Sequence, residues 1–230
     1  ICTMSLILLL PILSKELNYK AGHEAQLYKN RLTFNELVLG IRQSMFNPSA
    51  FAAIIFMLFA NIGYGIFDVI YNEFYIKELG WNGEEIGHMR PYGMWLGGLI
   101  GLSAGLMTLY FRKRSLLLFF VIGQAVVFLT ASTLSYETSI LLTSAVLIGV
   151  DAVDAGWSVL IFSILMALCT TQTSATNFGI FMGFGNISML IGNNIAPAIL
   201  GSGDFTFAFI FAALTLIPCL ISGYYLTKET

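Results

Sequence analysis

The 230-residue chain is 57% hydrophobic and only 10% charged, with a formal net charge of −2. Soluble domains carry about 25% charged residues, so this composition excludes an ordinary water-soluble globule. With no basic patch outside short loops, it also excludes a nucleic-acid binder. The three cysteines, Cys2, Cys169 and Cys219, sit far apart in apolar segments with no CxxC or Cys/His pairing. They read as buried free thiols, and neither a metal nor another cofactor is expected.

Residues 1–13, ICTMSLILLLPIL, form an apolar run too short to span a bilayer. They lack the basic n-region and the cleavage site of a signal peptide. The expectation is the tail of a truncated transmembrane helix. Residues 14–48 are polar and carry Lys15, Lys20, Lys29, Arg31 and Arg42. Thr33 and Glu36 make a capping box, flanked by Leu32 and Leu37 as a staple. Phe34, Leu37, Val38, Ile41 and Met45 then recur at helical spacing. This stretch reads as a cytoplasmic linker with an amphipathic helix on the membrane surface. Asn47-Pro48 ends it and starts the next helix.

Residues 49–76 are the first full span. Asn61, Gly65, Asp68 and Asn72 fall within about 60° of one another on a helical wheel. Tyr64, Tyr71 and Tyr75 line up beside them. An interfacial aromatic belt suits Tyr75 but not the mid-span Tyr64. Residues 77–83 are a turn, with Asn82 as N-cap and Glu84 and Glu85 in the first turn of a helix reaching Tyr110. Gly93, Gly97, Gly101 and Gly105 recur every fourth residue as a ridge for close packing. Pro91 is expected to kink this helix and free the carbonyl of Gly87. His88 reads as a solvated helix-end residue. Arg90 points into a span and needs a partner there.

Arg112-Lys113-Arg114 is a tight basic turn. Residues 115–134 span again, with Gln124 as the one strongly polar interior side chain, and 135–138 turn back. Residues 139–169 then form a long apolar helix holding Asp151 and Asp154 near its middle. An Asp at mid-bilayer costs about 3 kcal/mol on insertion scales, so both must face protein or water. Ser144, Asp151 and Ser158 lie in line, with Asp154 about 60° to one side. That offset favours Asp154 as a structural partner over a proton site, while it stays among the pathway candidates. After a turn at 170–176, residues 177–200 span with Asn177, Asn186, Asn193 and Asn194, a Gly179/Gly183 small-residue pair, and Pro197 near the end. Asn186 and Asn193 share a face and fit interhelical hydrogen bonds as well as a polar pathway. Residues 201–204 turn, 205–226 make the last span, and Lys228 follows.

The fold class that results is all-α: a polytopic membrane protein with six full spans in residues 49–230, preceded by the stub and the linker. Nine of the eleven basic residues fall in 14–48, 112–114 and the C-terminus. One, Lys77, falls in the opposite loops. The positive-inside rule then places the linker, the basic turn and the C-terminus in the cytoplasm. The candidate site residues are Asp68, Asp151, Asp154, Arg90, Asn61, Asn72, Tyr64, Tyr71, Asn186 and Asn193. The carboxylates would suit protons, and the amides and tyrosines a sugar or peptide.

Two stretches are similar to a known family. Residues 67–87, FDVIYNEFYIKELGWNGEEIG, resemble a pattern in which an Asp in the seventh helix precedes a leucine-glycine-aromatic turn and a Glu-Ile-Gly helix start. Residues 165–181, LMALCTTQTSATNFGIF, resemble a Leu-Met-(Ala/Ser)-Leu-Cys run and a Thr-Ala-Thr-Gln-Tyr segment. Together they resemble the C-terminal half of the AmpG-type muropeptide permeases, a branch of the major facilitator superfamily that includes acetyl-coenzyme A transporters. The resemblance covers roughly residues 50–226. Thr171 and Gln172 stand where the family has basic residues, and no Asp precedes the basic turn.

The resemblance implies a secondary transporter of the bacterial inner membrane, not an enzyme, importing an anhydro-muropeptide with protons. It also implies a second, N-terminal six-helix half facing this one across a midplane cavity. It matches Asp68 to the seventh-helix Asp, Arg90 to a basic residue of the eighth helix, and Asp151 to a Glu-Asn pair of the tenth. Two rival readings are an intramembrane enzyme using Asp151 and Asp154 as a carboxylate pair and a six-helix subunit that transports nothing.

Overall fold

A computed structural model describes residues 39–42, 45–169, 174–201 and 204–229. The expected stub at 1–13, the Thr33–Glu36 capping box and Cys2 lie outside these residues. The chain divides into two units, Ile1–Arg42 and Gln43–Thr230. In the first unit, residues 39–42 are helical.

The second unit contains eight helices and no strand among the described residues: α1 (Pro48–Ala60), α2 (Ile62–Lys77), α3 (Gly83–Tyr110), α4 (Lys113–Ala131), α5 (Ile140–Leu168), α6 (Ser174–Leu200), α7 (Phe205–Leu214) and α8 (Leu216–Glu229). Five stretches are long and apolar enough to cross a membrane: Pro48–Lys77, Gly83–Tyr110, Lys113–Ala131, Ile140–Leu168 and Phe205–Lys228. The sixth expected span, α6, is a 27-residue helix but is not among them. Its asparagines lower its hydropathy, and several of its polar groups are spent on neighbouring helices.

Local sequence sets the helix ends. The Asn47 side chain accepts from Ala50 N–H at 2.7 Å, with Pro48 behind it in the first turn. Asn82 and Glu85 form a full capping box, each side chain bonding the other's backbone N–H at 2.8 Å. Ser139 caps α5 and Asp204 caps α7. Gly80 turns the α2–α3 loop at φ +71°, and a Cβ there would meet the Tyr136 ring at 2.7 Å.

The first span is two helices rather than one. At Asn61 the backbone N–H leaves the helical ladder and donates to Ser188 Oγ of α6 at 3.0 Å. The carbonyl of Ala60 accepts instead from Trp157 Nε1 of α5 at 3.2 Å. Buried backbone groups must be paired, and here two neighbouring helices supply the partners. The last span also breaks, at Thr215. Pro218 has no N–H for the carbonyl of Leu214, four residues earlier. Pro91, in contrast, sits inside α3 without ending it.

Small residues fix the closest helix pairs. The four-residue glycine ridge of α3 runs along α5. A Cβ at Gly97 would lie 3.1 Å from Ala155 Cβ, whereas at Gly105 the nearest atom is Val159 Cγ1 at 3.8 Å. The seam is tight beside Asp151 and opens toward the α3 C-terminus. On the other side of the bundle, Gly65 of α2 and Gly192 of α6 touch, and a Cβ on Gly192 would collide with the Ile62 carbonyl. The expected Gly179/Gly183 pair does not pack: a Cβ at either would meet nothing within 4 Å. Four-residue spacing marks a smooth face but does not say which face is covered.

The core between these seams is aromatic. Phe74 and Phe209 meet edge-on with centroids 4.9 Å apart, tying α2 to α7. Tyr75, expected at the membrane interface, is wholly buried and donates its hydroxyl to the Thr143 carbonyl at 2.8 Å. Trp81 of the α2–α3 turn packs edge-on against its ring at 5.1 Å, so an interface position by sequence becomes an interior one.

Candidate functional site

Three helices bring one guanidinium between two carboxylates. Arg90, in the second turn of α3, donates from Nη2 to Asp68 Oδ1 of α2 at 2.6 Å. Its Nε lies 3.5 Å from Asp151 Oδ2 of α5. The first contact is a charge-assisted hydrogen bond; the second is an ion pair without hydrogen-bond geometry. The Arg90 guanidinium also lies over the Tyr71 ring, 4.2 Å from its centroid, a cation–π contact that fixes its plane. Tyr71 in turn stacks on Phe67.

Tyr64, two turns from Tyr71 on α2, donates its hydroxyl to Asp151 Oδ1 at 3.2 Å. Asp151 is the most enclosed member, its side chain 8% exposed against 21% for Arg90 and 33% for Asp68. Its Oδ2 has no hydrogen-bond partner. Gly93 makes the approach possible: a Cβ there would sit 3.1 Å from both Asp151 Cβ and Oδ2. The glycine that packs α3 on α5 thus also admits the carboxylate beside Arg90.

Asp154 lies about one turn further along α5. It has no hydrogen bond or ion pair among the described residues, so it is not the structural partner expected from its offset. With Tyr64, Asp151 and the Gly97–Gly98–Gly101 surface it lines an open groove of about 650 Å³ between α3 and α5. Met94, Leu102, Ala155 and Val159 complete the walls.

The structure therefore brings together Asp68, Arg90, Asp151, Tyr64 and Tyr71, with Asp154 on the adjoining wall. The asparagines stand elsewhere. The Asn61 side chain donates to the Gly185 carbonyl at 3.5 Å. The Asn193 amide, oriented to satisfy both its ends, donates to Met189 at 3.2 Å and to Gly65 at 2.9 Å. Both join α6 to the broken first span. Asn72 and Asn186 are exposed and do not line the groove. His88 is an exposed helix-end residue, 3.7 Å from Glu84. Sequence reasoning missed Trp157, whose indole N–H holds the Ala60 carbonyl at the break. Its one signal was a mid-span indole N–H, a donor that needs an acceptor when buried.

No group of three or more metal-ligating side chains occurs among the described residues. Chemically the site can hold or exchange a proton or another cation among Asp68, Asp151 and Asp154, with Arg90 as a fixed positive charge. In comparisons with known proteins, no family model and no curated sequence matches the chain.

Proposed function

We propose that the chain is the six-helix, C-terminal half of a secondary active transporter that moves a solute with protons. The observation that carries this reading is the Asp68–Arg90–Asp151 bridge. It joins three helices inside the apolar span region and borders an open groove. Charged groups inside a membrane protein line pathways or pair with one another, and these do both.

A coupling carboxylate needs two partner states. Asp151 can be held by Tyr64 and Arg90 in one and released to water in the other, and Asp68 can compete for the same guanidinium. In this reading a second six-helix half covers the groove. The solute is the glycopeptide implied by the resemblance, an anhydro-muropeptide, and the membrane is the bacterial inner membrane. The bonding of Asp151 also speaks against a catalytic pair with Asp154, because its oxygens face Tyr64 and Arg90.

The test uses proteoliposomes carrying the chain with any sequence that precedes it in the natural protein. Solute-dependent proton uptake is expected. Asp68→Asn or Asp151→Asn should abolish proton-driven accumulation while leaving solute exchange detectable. If both variants accumulate solute with the wild-type pH dependence, the bridge does not carry the coupling proton.

A further inference from the structure

We propose that the groove between α3 and α5 receives an ammonium group on the transported solute, with Asp154 as its counter-ion. The inference rests on the transport reading of this site and adds the chemical class that enters it.

Charge balance is the first observation. Three carboxylates, Asp68, Asp151 and Asp154, share one guanidinium, and Arg90 is committed to the first two. Asp154 lines the groove with no cation beside it among the described residues. Asp151 is the second. Its side chain is more than nine-tenths buried, it lines the same groove, and its Oδ2 meets only Arg90 Nε, 3.5 Å away and without hydrogen-bond geometry. A buried carboxylate oxygen without a donor is costly.

The shape of the groove narrows the ligand. Gly97, Gly98 and Gly101 leave a floor without side chains, and Met94, Leu102 and Val159 are apolar walls. A volume of about 650 Å³ lies within the roughly 300–1,000 Å³ typical of small-molecule sites. An anion is repelled by the surplus negative charge. A neutral polyol leaves Asp154 unpaired. A primary ammonium offers three donors and no acceptor. The acceptors present match that: the Asp154 carboxylate and the Tyr64 oxygen, which keeps its lone pairs while donating to Asp151. The apolar part next to the ammonium lies along the glycine floor.

The test is equilibrium binding to the chain in lipid nanodiscs by calorimetry. The probes are phenethylammonium, 2-phenylethanol and 3-phenylpropanoate, which share a ring and differ in head group. Phenethylammonium should bind roughly tenfold or more tightly than the alcohol, and the carboxylate should not bind. Asp154→Asn should reduce the ammonium compound to the level of the alcohol. Glu137→Gln, on an exposed loop, should change nothing. Leu102→Trp fills the groove without touching a charge and should abolish binding of both, so the proposal stays testable if Asp154→Asn folds poorly. Equal affinity for ammonium and alcohol overturns it. So does wild-type affinity in Asp154→Asn or Leu102→Trp, or an equal loss in Glu137→Gln. Binding as expected in a protein that moves no solute would refute transport and leave the ammonium site standing. Transport indifferent to an ammonium group would do the reverse.

Discussion

Arg90 is the residue on which the site's stability turns. Removing one partner of a buried ion pair leaves uncompensated charge and typically costs 3–5 kcal/mol; at 21% exposure Arg90 should cost less. Arg90→Gln is expected to destabilise the chain by about 2 kcal/mol, read as a lower unfolding temperature in detergent. Adding Asp68→Asn and Asp151→Asn should recover more than half of that loss, because the three residues act as a unit. A triple variant no more stable than the single one would show that the bridge is not the source. Gln124 makes the opposite case. It is buried in α4 with Oε1 unpaired, so Gln124→Leu should raise stability by about 1 kcal/mol. The charged members of the site were legible in the sequence because a charge in an apolar stretch must be answered by something. Asp154 was misread because a helical wheel gives an angle but not the neighbour that fills it. Tyr75 was misplaced for a similar reason: Trp81 of the α2–α3 turn and Thr143 of α5 close over it.

At the scale of elements, the glycine seams give a graded prediction. Alanine at Gly192 would strike the Ile62 carbonyl, at Gly97 it would crowd Ala155, and at Gly105 it would meet only Val159 at 3.8 Å. Loss of stability should therefore fall in the order Gly192, Gly97, Gly105, from about 3 kcal/mol to near zero. Leucine at Gly97 should lower the yield of folded protein outright. Thermal unfolding of the three alanine variants in detergent checks the order; equal effects would mean that the seams do not pack as described. Five of the six expected apolar spans, their turns and the helix starts at Asn47-Pro48 and Asn82 followed from hydropathy and cap residues. The two mid-span breaks did not. Pro218 carried a signal at Thr215, but Asn61 breaks its helix only because Ser188 and Trp157 supply bonds from α5 and α6, and no local pattern shows such partners.

For the whole molecule, the basic bias predicts orientation. Cysteines introduced at Arg112 and Thr138 should label from opposite membrane faces, the first from the cytoplasm. Labelling of both from one side would overturn the topology. The aromatic core and the α3–α5 seam were foreseeable in kind, as apolar mass and small residues. Which helices pair was not, because span order says nothing of who sits beside whom. The packing is uneven: α3 is far less buried than the broken first span. Trp95, Leu99, Leu102 and Leu106 of α3 are all exposed.

The glycine ridge has a mechanical consequence. A surface without side chains has no knobs seated in holes, so it resists separation through many close contacts yet offers little purchase against motion along its length. The α3–α5 seam is therefore stiff to pulling apart and soft to shear. Its catch is at one end, where Arg90 is hooked to Asp68 and Asp151. Under a load applied along the membrane normal, α3 should hold until that hook opens and then slip in one event, and neutralising the hook should lower the rupture force without altering the ridge.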